Sequence, residues 1–118
     1  MKSLGIQGEE AAVLHLRSKG FRILHRNYRT PLGEADIIAR DGETLVFVEV
    51  KARRSDYHGQ PFEAVVPRKQ ERLGRIALYY LKGQKTERLV RFDVVSILAG
   101  DKGYEINHIK DAFRVEVF

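Results

Sequence analysis

Two alternating apolar segments joined by a tight turn constrain the fold of this chain more than any other feature. The segments are residues 33–40 (GEADIIAR) and 44–51 (TLVFVEVK), and Asp41-Gly42 lies between them. An Asp-Gly pair between two such runs is typical of a β-hairpin with a two-residue loop. The sequence therefore predicts two antiparallel strands at this place.

The pairing predicted for this hairpin sorts its side chains onto two faces. A two-residue loop places Arg40 opposite Glu43, and side chains alternate between the faces with period 2. One face then carries polar residues from both strands together with three apolar ones: Glu34, Asp36, Ile38, Leu45, Phe47, Glu49 and Lys51. The other face is wholly apolar and is expected to pack in a core: Ala35, Ile37, Ala39, Val46, Val48 and Val50.

Three carboxylates and one lysine are expected to meet at one end of the mixed face: Glu34, Asp36, Glu49 and Lys51. Carboxylates held this close repel one another, which raises their pKa values unless positive charge offsets the repulsion. Lys51 supplies one charge, and a divalent cation would supply two. Because the candidate ligands are oxygens and the chain has no cysteine, Mg²⁺ or Mn²⁺ suits them better than Zn²⁺. The alternative is a solvated cluster in which Lys51 forms a cross-strand salt bridge.

The rest of the chain adds two predicted helices and three predicted strands. Apolar residues spaced by three and four positions indicate helices, and β-branched runs between turn residues indicate strands. Helices are expected at 4–19 and 67–81, strands at 21–28, 89–98 and 104–109, a loop at 52–63, and an edge strand or a docked end at the tail RVEVF. With 118 residues and no linker, the order α-β-β-β-α-β-β predicts one domain spanning 1–118, an α/β sandwich around a mixed sheet.

The first predicted helix carries an acid on its apolar face. Glu9 shares the helical stripe of Ala12, Val13 and Leu16, which is expected to pack on the sheet. A carboxylate on a packing face is costly unless it is paired or binds a metal, so Glu9 is a candidate member of the same site. The alternative is that Glu9 only complements the helix dipole from the first turn.

The charge distribution points to a polyanionic partner. The net charge is +5, and residues 17–30 hold five basic residues and no acid. Residues 64–92 hold eight basic and two acidic residues, which leaves the remainder of the chain net acidic. Segregated basic regions favour nucleic acid, although many basic proteins are merely well solvated. The chain has neither a run of about 18 apolar residues nor an apolar signal segment, so no membrane partner and a cytoplasmic location are expected.

Five stretches resemble a known family when they are taken in order: QGEEAAVLHL, NYRTPLGEADIIARDG, FVEVKARR, AVVPRKQERL and RFDVVSI. The pattern of Glu9, then Gly33-Glu34-Ala35-Asp36, then Glu49-Val50-Lys51 resembles the PD-(D/E)XK nuclease motif. The whole chain is most similar to the bacterial YraN family of small nuclease-like proteins, and its first helix is similar to that of archaeal Holliday junction resolvases. The resemblance implies a restriction-endonuclease-like fold, with an αβββαβ core and a mixed sheet flanked by helices.

The resemblance also implies roles for individual residues. Asp36 and Glu49 would be metal ligands, with the Val50 carbonyl oxygen as a third. Lys51 would position or deprotonate the attacking water, and Glu9 would be the helix-borne carboxylate of the resolvase-like branch. Gln70 matches a glutamine near the site in related nucleases. Independently of the resemblance, the carboxylate cluster makes Glu34 a candidate accessory acid. Ala35 departs from the motif, which usually has proline there.

The expected function is hydrolysis of phosphodiester bonds by a Mg²⁺- or Mn²⁺-dependent endonuclease. Basic residues would hold the phosphate backbone without reading its sequence, so structure-directed or non-specific binding is expected, with DNA favoured over RNA. The residues predicted to contact nucleic acid are Arg29, Arg53, Arg54, Arg68, Lys69, Arg72 and Arg75. The resolvase resemblance adds the expectation of a homodimer. The alternative is a catalytically silent nucleic-acid-binding or accessory module of a DNA- or RNA-processing system.

Overall fold

A computed structural model describes residues 2–54, 65–84 and 89–116. Within these ranges the elements are α1 (Leu4–Ser18), β1 (Arg22–Thr30), β2 (Gly33–Asp41), β3 (Thr44–Arg54), α2 (Pro67–Leu81), β4 (Leu89–Gly100) and β5 (Gly103–Ile109). Their order is the predicted α-β-β-β-α-β-β. The prediction of a loop at 52–63 was wrong for residues 52–54, which extend β3, and its remainder, 55–63, lies outside the described residues.

The strands form one mixed sheet in the order β1-β2-β3-β4-β5. Strands β3 and β4 are parallel, and the other neighbouring pairs are antiparallel. Helix α2 lies between β3 and β4 in the chain, as a parallel connection requires. A five-stranded mixed sheet with two helices is compatible with the predicted restriction-endonuclease-like αβββαβ core. None of the helices in the described ranges is long and apolar enough to cross a membrane.

Each face of the sheet packs one helix and so has its own core. The α1-side core joins the helix residues Ala12, Val13 and Leu16 to sheet residues that include Ile37, Ala39, Val46 and Val48. The α2-side core joins Leu73, Ile76 and Ala77 to Ala35, Ile38, Leu45 and Phe47. The two predicted faces are confirmed by this division, except at Ala35, which packs on the α2 side although Ile37 packs on the α1 side.

The turn between β2 and β3 is displaced by one residue from the prediction. Asp41 pairs with Thr44 and Arg40 with Leu45, so the loop residues are Gly42 and Glu43 rather than Asp41-Gly42. Gly42 has a φ of 62°, and glycine in the first loop position is typical of a type II′ turn. Cross-strand partners therefore shift by two residues, which leaves every side chain of the regular pairing on its predicted face.

Helix α1 approaches the sheet closely because it carries a glycine at the contact. A Cβ atom built on Gly8 would lie 2.7 Å from the Cβ of Ala52 in β3, so this position has no room for a side chain. The close approach brings the next residue, Glu9, to the end of the sheet. At the start of the helix, the Oγ atom of Ser3 accepts a hydrogen bond from the backbone N–H of Ile6 at 3.2 Å.

Replacing Gly8 with alanine is expected to lower the free energy of unfolding. The added methyl group would force α1 away from β3, and overpacking of this kind typically costs about 1–3 kcal/mol. Urea denaturation would measure the change. Gly5→Ala is the matched control, because its Cβ would meet only Ser3 Oγ at 3.9 Å, and alanine is favoured in an exposed helix position. Equal stability of the two variants would contradict the close packing of α1.

The end of the chain is anchored to the sheet by a buried acid. Asp93 accepts hydrogen bonds from Arg91 at 2.8 Å and from the backbone N–H of Asp111 at 3.0 Å, and it contacts His108 Nε2 at 2.8 Å. Burial alone would raise the pKa of Asp93, but these hydrogen bonds hold it below its ordinary value. Beyond this anchor Val115 packs against α2, so the described part of the tail is a docked end rather than an edge strand.

Candidate active site

The predicted acids line one cavity at the place where β2 and β3 separate. The ladder between these strands ends at Ile37 and Val48, and beyond it a cavity of about 280 Å³ opens toward both helices. We call it the carboxylate cavity. Its lining residues are Glu9, Asn27, Glu34, Asp36, Glu49, Lys69, Arg72, Leu73 and Ile76.

Asp36 takes the place of a backbone partner for β3. Its Oδ2 atom accepts a hydrogen bond from the backbone N–H of Val50 at 2.8 Å, which fixes the carboxylate between the separating strands. Burial, and then the neighbouring carboxylates of Glu49 and Glu9, raise the pKa of Asp36 to about 7, although the Val50 N–H and Lys51 act to lower it. The site therefore holds less positive charge than its acids require at neutral pH.

Glu49 is held by two lysines. The Nζ atoms of Lys51 and Lys69 lie 3.3 and 3.4 Å from its Oε1 atom. The side chains of Glu49 and Lys51 are only 14% and 13% exposed, whereas that of Lys69 is 40% exposed. Burial and the neighbouring ammonium of Lys69 lower the pKa of Lys51. Lys51 therefore gives up a proton more readily than a surface lysine does.

Glu9 reaches the cavity from α1. Its Oε1 atom is buried and has no hydrogen-bond partner within the described residues. Burial raises the pKa of Glu9; Arg26 opposes the rise, and Glu34 and Glu49 add to it. A buried oxygen without a donor is costly, so this atom is suited to a ligand that brings its own positive charge or hydrogen.

Of the basic residues predicted to bind nucleic acid, Lys69 and Arg72 line the carboxylate cavity and the others do not. Arg72 lines the cavity and lies across Gly33, where an added Cβ would meet the Arg72 Cδ atom at 2.9 Å. Lys69 contacts Glu49 in the cavity, as described above. Arg29 is 85% exposed and lies 3.7 Å from Glu34. Arg54, Arg68 and Arg75 are exposed, and Arg53 donates a hydrogen bond to the Ala52 carbonyl.

Three of the predicted catalytic or metal-binding residues do not line the cavity: Lys51, Gln70 and Val50. Lys51 meets the site through its contact with Glu49. Gln70 donates a hydrogen bond to the carbonyl oxygen of Val65 at 2.9 Å, which stabilises the segment that leads into α2. Val50 packs its side chain against the α1-side core and meets the site through its backbone N–H. The roles expected of Gln70 and of the Val50 carbonyl oxygen stay predictions.

One polar residue of the cavity lining, Asn27, was not predicted from the sequence. Asn27 lies in β1 with a φ of 52°, a left-handed conformation that asparagine tolerates better than most residues. No periodicity marks it, because the surrounding strand is polar and alternates poorly. The only available signal was its type, since asparagine is enriched at such backbone positions.

The donor atoms of the cavity suit a hard divalent cation. The acids Glu9, Asp36 and Glu49 offer only oxygens, and one Glu9 oxygen has no described partner. In the described part of the chain no three His, Asp or Glu side chains are gathered as a complete metal-binding set. Mg²⁺ is typically bound by one or two protein carboxylates, and waters and phosphate oxygens complete its shell.

Comparison with known proteins identifies the family. Residues 8–97 match the uncharacterised protein family UPF0102. A UPF0102 protein of Syntrophus aciditrophicus is 50% identical over 112 residues, which cover 94% of this chain and 88% of that protein. The UPF0102 protein of Geotalea uraniireducens is 50% identical over 116 residues, which cover 97% of this chain and 91% of that protein. The one of Caldicellulosiruptor saccharolyticus is 50% identical over 115 residues, which cover 95% of this chain and 98% of that protein. The chain therefore belongs to the uncharacterised protein family UPF0102, the YraN family that its motifs resemble.

Proposed function

We propose that this protein is a divalent-cation-dependent nuclease that hydrolyses phosphodiester bonds at the carboxylate cavity. One observation carries the proposal. Asp36 and Glu9, whose pKa values are both raised, lie in one cavity with Glu49, whose partner Lys51 is a half-buried lysine with a lowered pKa. A purely structural acid pair would instead be expected to have its charge fully offset.

Asp36 and Glu49 would hold Mg²⁺ or Mn²⁺, with the Val50 carbonyl oxygen and Glu9 as further ligands, directly or through water. When bound, such an ion lowers the pKa of a coordinated water and offsets charge on the phosphate. The Val50 N–H keeps the Asp36 carboxylate aimed at one place. Because Asp36 binds a proton up to about pH 7, cation binding would release protons and would strengthen with pH.

Lys51 would orient the attacking water or accept its proton. Its ammonium lies beside Glu49, so it can also stabilise negative charge that develops on the phosphate. Arg72, at the cavity wall, would hold a non-bridging phosphate oxygen. These groups would contact phosphate rather than bases, so we expect structure-directed or non-specific cleavage. DNA remains the expected substrate.

A cleavage panel tests the proposal. Purified protein would be incubated with Mn²⁺, Mg²⁺ or EDTA and with single strands, flaps, four-way junctions and plain duplexes of DNA and RNA. We expect cation-dependent cleavage of at least one substrate, abolished by EDTA and restored by added Mn²⁺. Cleavage in EDTA, or no cleavage of any substrate despite binding, would contradict the proposal.

A nucleic-acid-binding module without catalysis is the second candidate. The observation that favours it is that Lys51 and Lys69 already contact Glu49, and the described residues hold no complete three-ligand set. Such a module would bind nucleic acid with an affinity that falls with salt and is the same in Mn²⁺ and EDTA. The panel therefore distinguishes the two candidates.

A further inference from the structure

The strand that borders the carboxylate cavity has an abnormal backbone at one residue. Asn27 and Asp111 are the non-glycine residues with positive φ in the described ranges, at 52° and 53°. Asp111 follows the last strand, where such a turn is ordinary. Asn27 lies in the middle of β1, where left-handed backbone costs on the order of 1 kcal/mol. A position of this kind suggests a use for the side chain that it displays.

The pleat of β1 reverses across Asn27. Arg26 pairs with Ile37, which packs in the α1-side core. Tyr28 pairs with Ala35, and both pack on the α2 side. Residues two apart in a regular strand share a face, so the chain has turned over at this level. The reversal leaves Asn27 out of the regular alternation and places it at the cavity.

Asp36 lies in β2 at the same position along the sheet as Asn27 in β1. The pairs on either side, Arg26 with Ile37 and Tyr28 with Ala35, place Asn27 opposite Asp36. The neighbours of Asp36 in β2 also pack on opposite faces of the sheet, Ile37 on the α1 side and Ala35 on the α2 side. The two irregularities therefore coincide, one on each strand, and both deliver a polar side chain to the carboxylate cavity. A distortion shared by two strands at a single cavity is more readily explained by the site than by packing.

Asn27 meets Glu9 in this cavity. Asn27 and Glu9 line this cavity together, and the Asn27 side chain opposes the rise in the pKa of Glu9 by hydrogen bonding, while the Oε1 atom of Glu9 has no partner in the described part of the chain. An amide can orient a carboxylate without neutralising it, whereas Lys51 and Lys69 at Glu49 bring positive charge. Glu9 is thus held while its charge stays available.

We propose that Asn27 is a positioning residue, whose left-handed backbone directs its carboxamide to Glu9 and leaves Glu9 Oε1 free to serve a bound divalent cation. The inference rests on the proposed function, since it assigns Glu9 to the cation site. Hydrogen-bond partners that orient metal ligands typically contribute 10- to 100-fold to metal affinity. Asn27 acts through Glu9 and is not itself a ligand in this scheme.

A double-variant cycle read out by Mn²⁺ affinity tests the proposal without any substrate. Asn27→Gly removes the carboxamide but keeps a residue that adopts positive φ freely. Isothermal titration calorimetry should show Mn²⁺ affinity about tenfold weaker than in the wild type. In the Glu9→Gln background the same change should have no further effect, because coupled residues are not additive. Asp111→Gly makes a matching backbone change away from the cavity and should bind Mn²⁺ as the wild type does.

The possible results distinguish a failure of the role proposed for Asn27 from a failure of the proposed cation site. Wild-type affinity in Asn27→Gly, or an equal loss with and without Glu9, would overturn the role of Asn27 while leaving the cation site in place. A melting temperature that falls in Asn27→Gly and not in Asp111→Gly, with unchanged Mn²⁺ affinity, would make Asn27 a structural residue and also overturn it. If the wild-type protein binds no Mn²⁺, the cation site fails and the inference fails with it.

Discussion

Replacing Glu49 with glutamine is expected to reduce kcat/KM for nucleic acid cleavage by on the order of 10²- to 10³-fold, the usual effect of losing one preorganised electrostatic group. Glutamine keeps the size of the side chain but cannot carry the charge that Lys51 and the proposed cation both require. Single-turnover cleavage of the preferred substrate in Mn²⁺ would measure the loss. Lys51→Met is expected to reduce the rate similarly, because it removes the half-buried ammonium that lies beside this carboxylate.

Glu34→Gln is the matched control for this experiment. Glu34 also lines the cavity, but its side chain is 39% exposed and lies beside the exposed Arg29, so its removal should change the rate little. Circular dichroism would verify that all variants are folded. Wild-type rates in folded Glu49→Gln would contradict the assignment, and so would equal losses in Glu34→Gln and Glu49→Gln.

Replacing Asp36 with asparagine is expected to make the cation-free protein more stable at pH 8. The folded state raises the pKa of Asp36 from 3.8 to about 7, so it binds the proton more tightly than the unfolded chain does. The free energy of unfolding therefore falls as pH rises from about 4 to 7 and stays lowered above that range. Asparagine avoids this loss and can still accept the Val50 hydrogen bond. With about 1.4 kcal/mol per pKa unit, and allowing for relaxation, we expect a gain on the order of 2 kcal/mol.

Urea denaturation in EDTA at pH 4 and pH 8 would measure this effect, since the two proteins should differ little at pH 4. Added Mn²⁺ should reverse the order at pH 8, because a cation bound only by the folded wild type stabilises it by mass action. Asp36→Asn that is less stable than the wild type in EDTA at pH 8 would contradict the charge imbalance of the cavity. Equal stabilisation of both proteins by Mn²⁺ would contradict the role of Asp36.

Alternation along the hairpin predicted the two faces of β2 and β3, since a period of 2 leaves the faces unchanged for any loop with an even number of residues. It could not fix the turn, because the choice between Asp41-Gly42 and Gly42-Glu43 depends on which residue takes positive φ. Nor could it show that β3 continues to Arg54. The extension exists because the parallel strand β4 supplies partners there, with Arg54 paired to Ala99, and that contact is distant in sequence.

The candidate site was predictable to the same degree. Spacing on the hairpin and on α1 identified Glu9, Asp36 and Glu49, which the structure brings to one cavity. The contact of Lys69 with Glu49 depends on how α2 docks, which helical periodicity does not specify. Asn27 could not be predicted from alternation, because the pleat of β1 reverses at this residue. Local irregularity of this kind is typical of functional sites.

The position of a bound cation would show directly whether the carboxylate cavity is a metal site. Crystals grown with Mn²⁺ and a short oligonucleotide, measured at a wavelength where manganese scatters anomalously, would locate the ion independently of any activity. The account predicts an anomalous peak between the carboxylates of Asp36 and Glu49, and its absence in Asp36→Asn. A peak elsewhere in the protein, or an empty carboxylate cavity beside ordered nucleic acid, would contradict it.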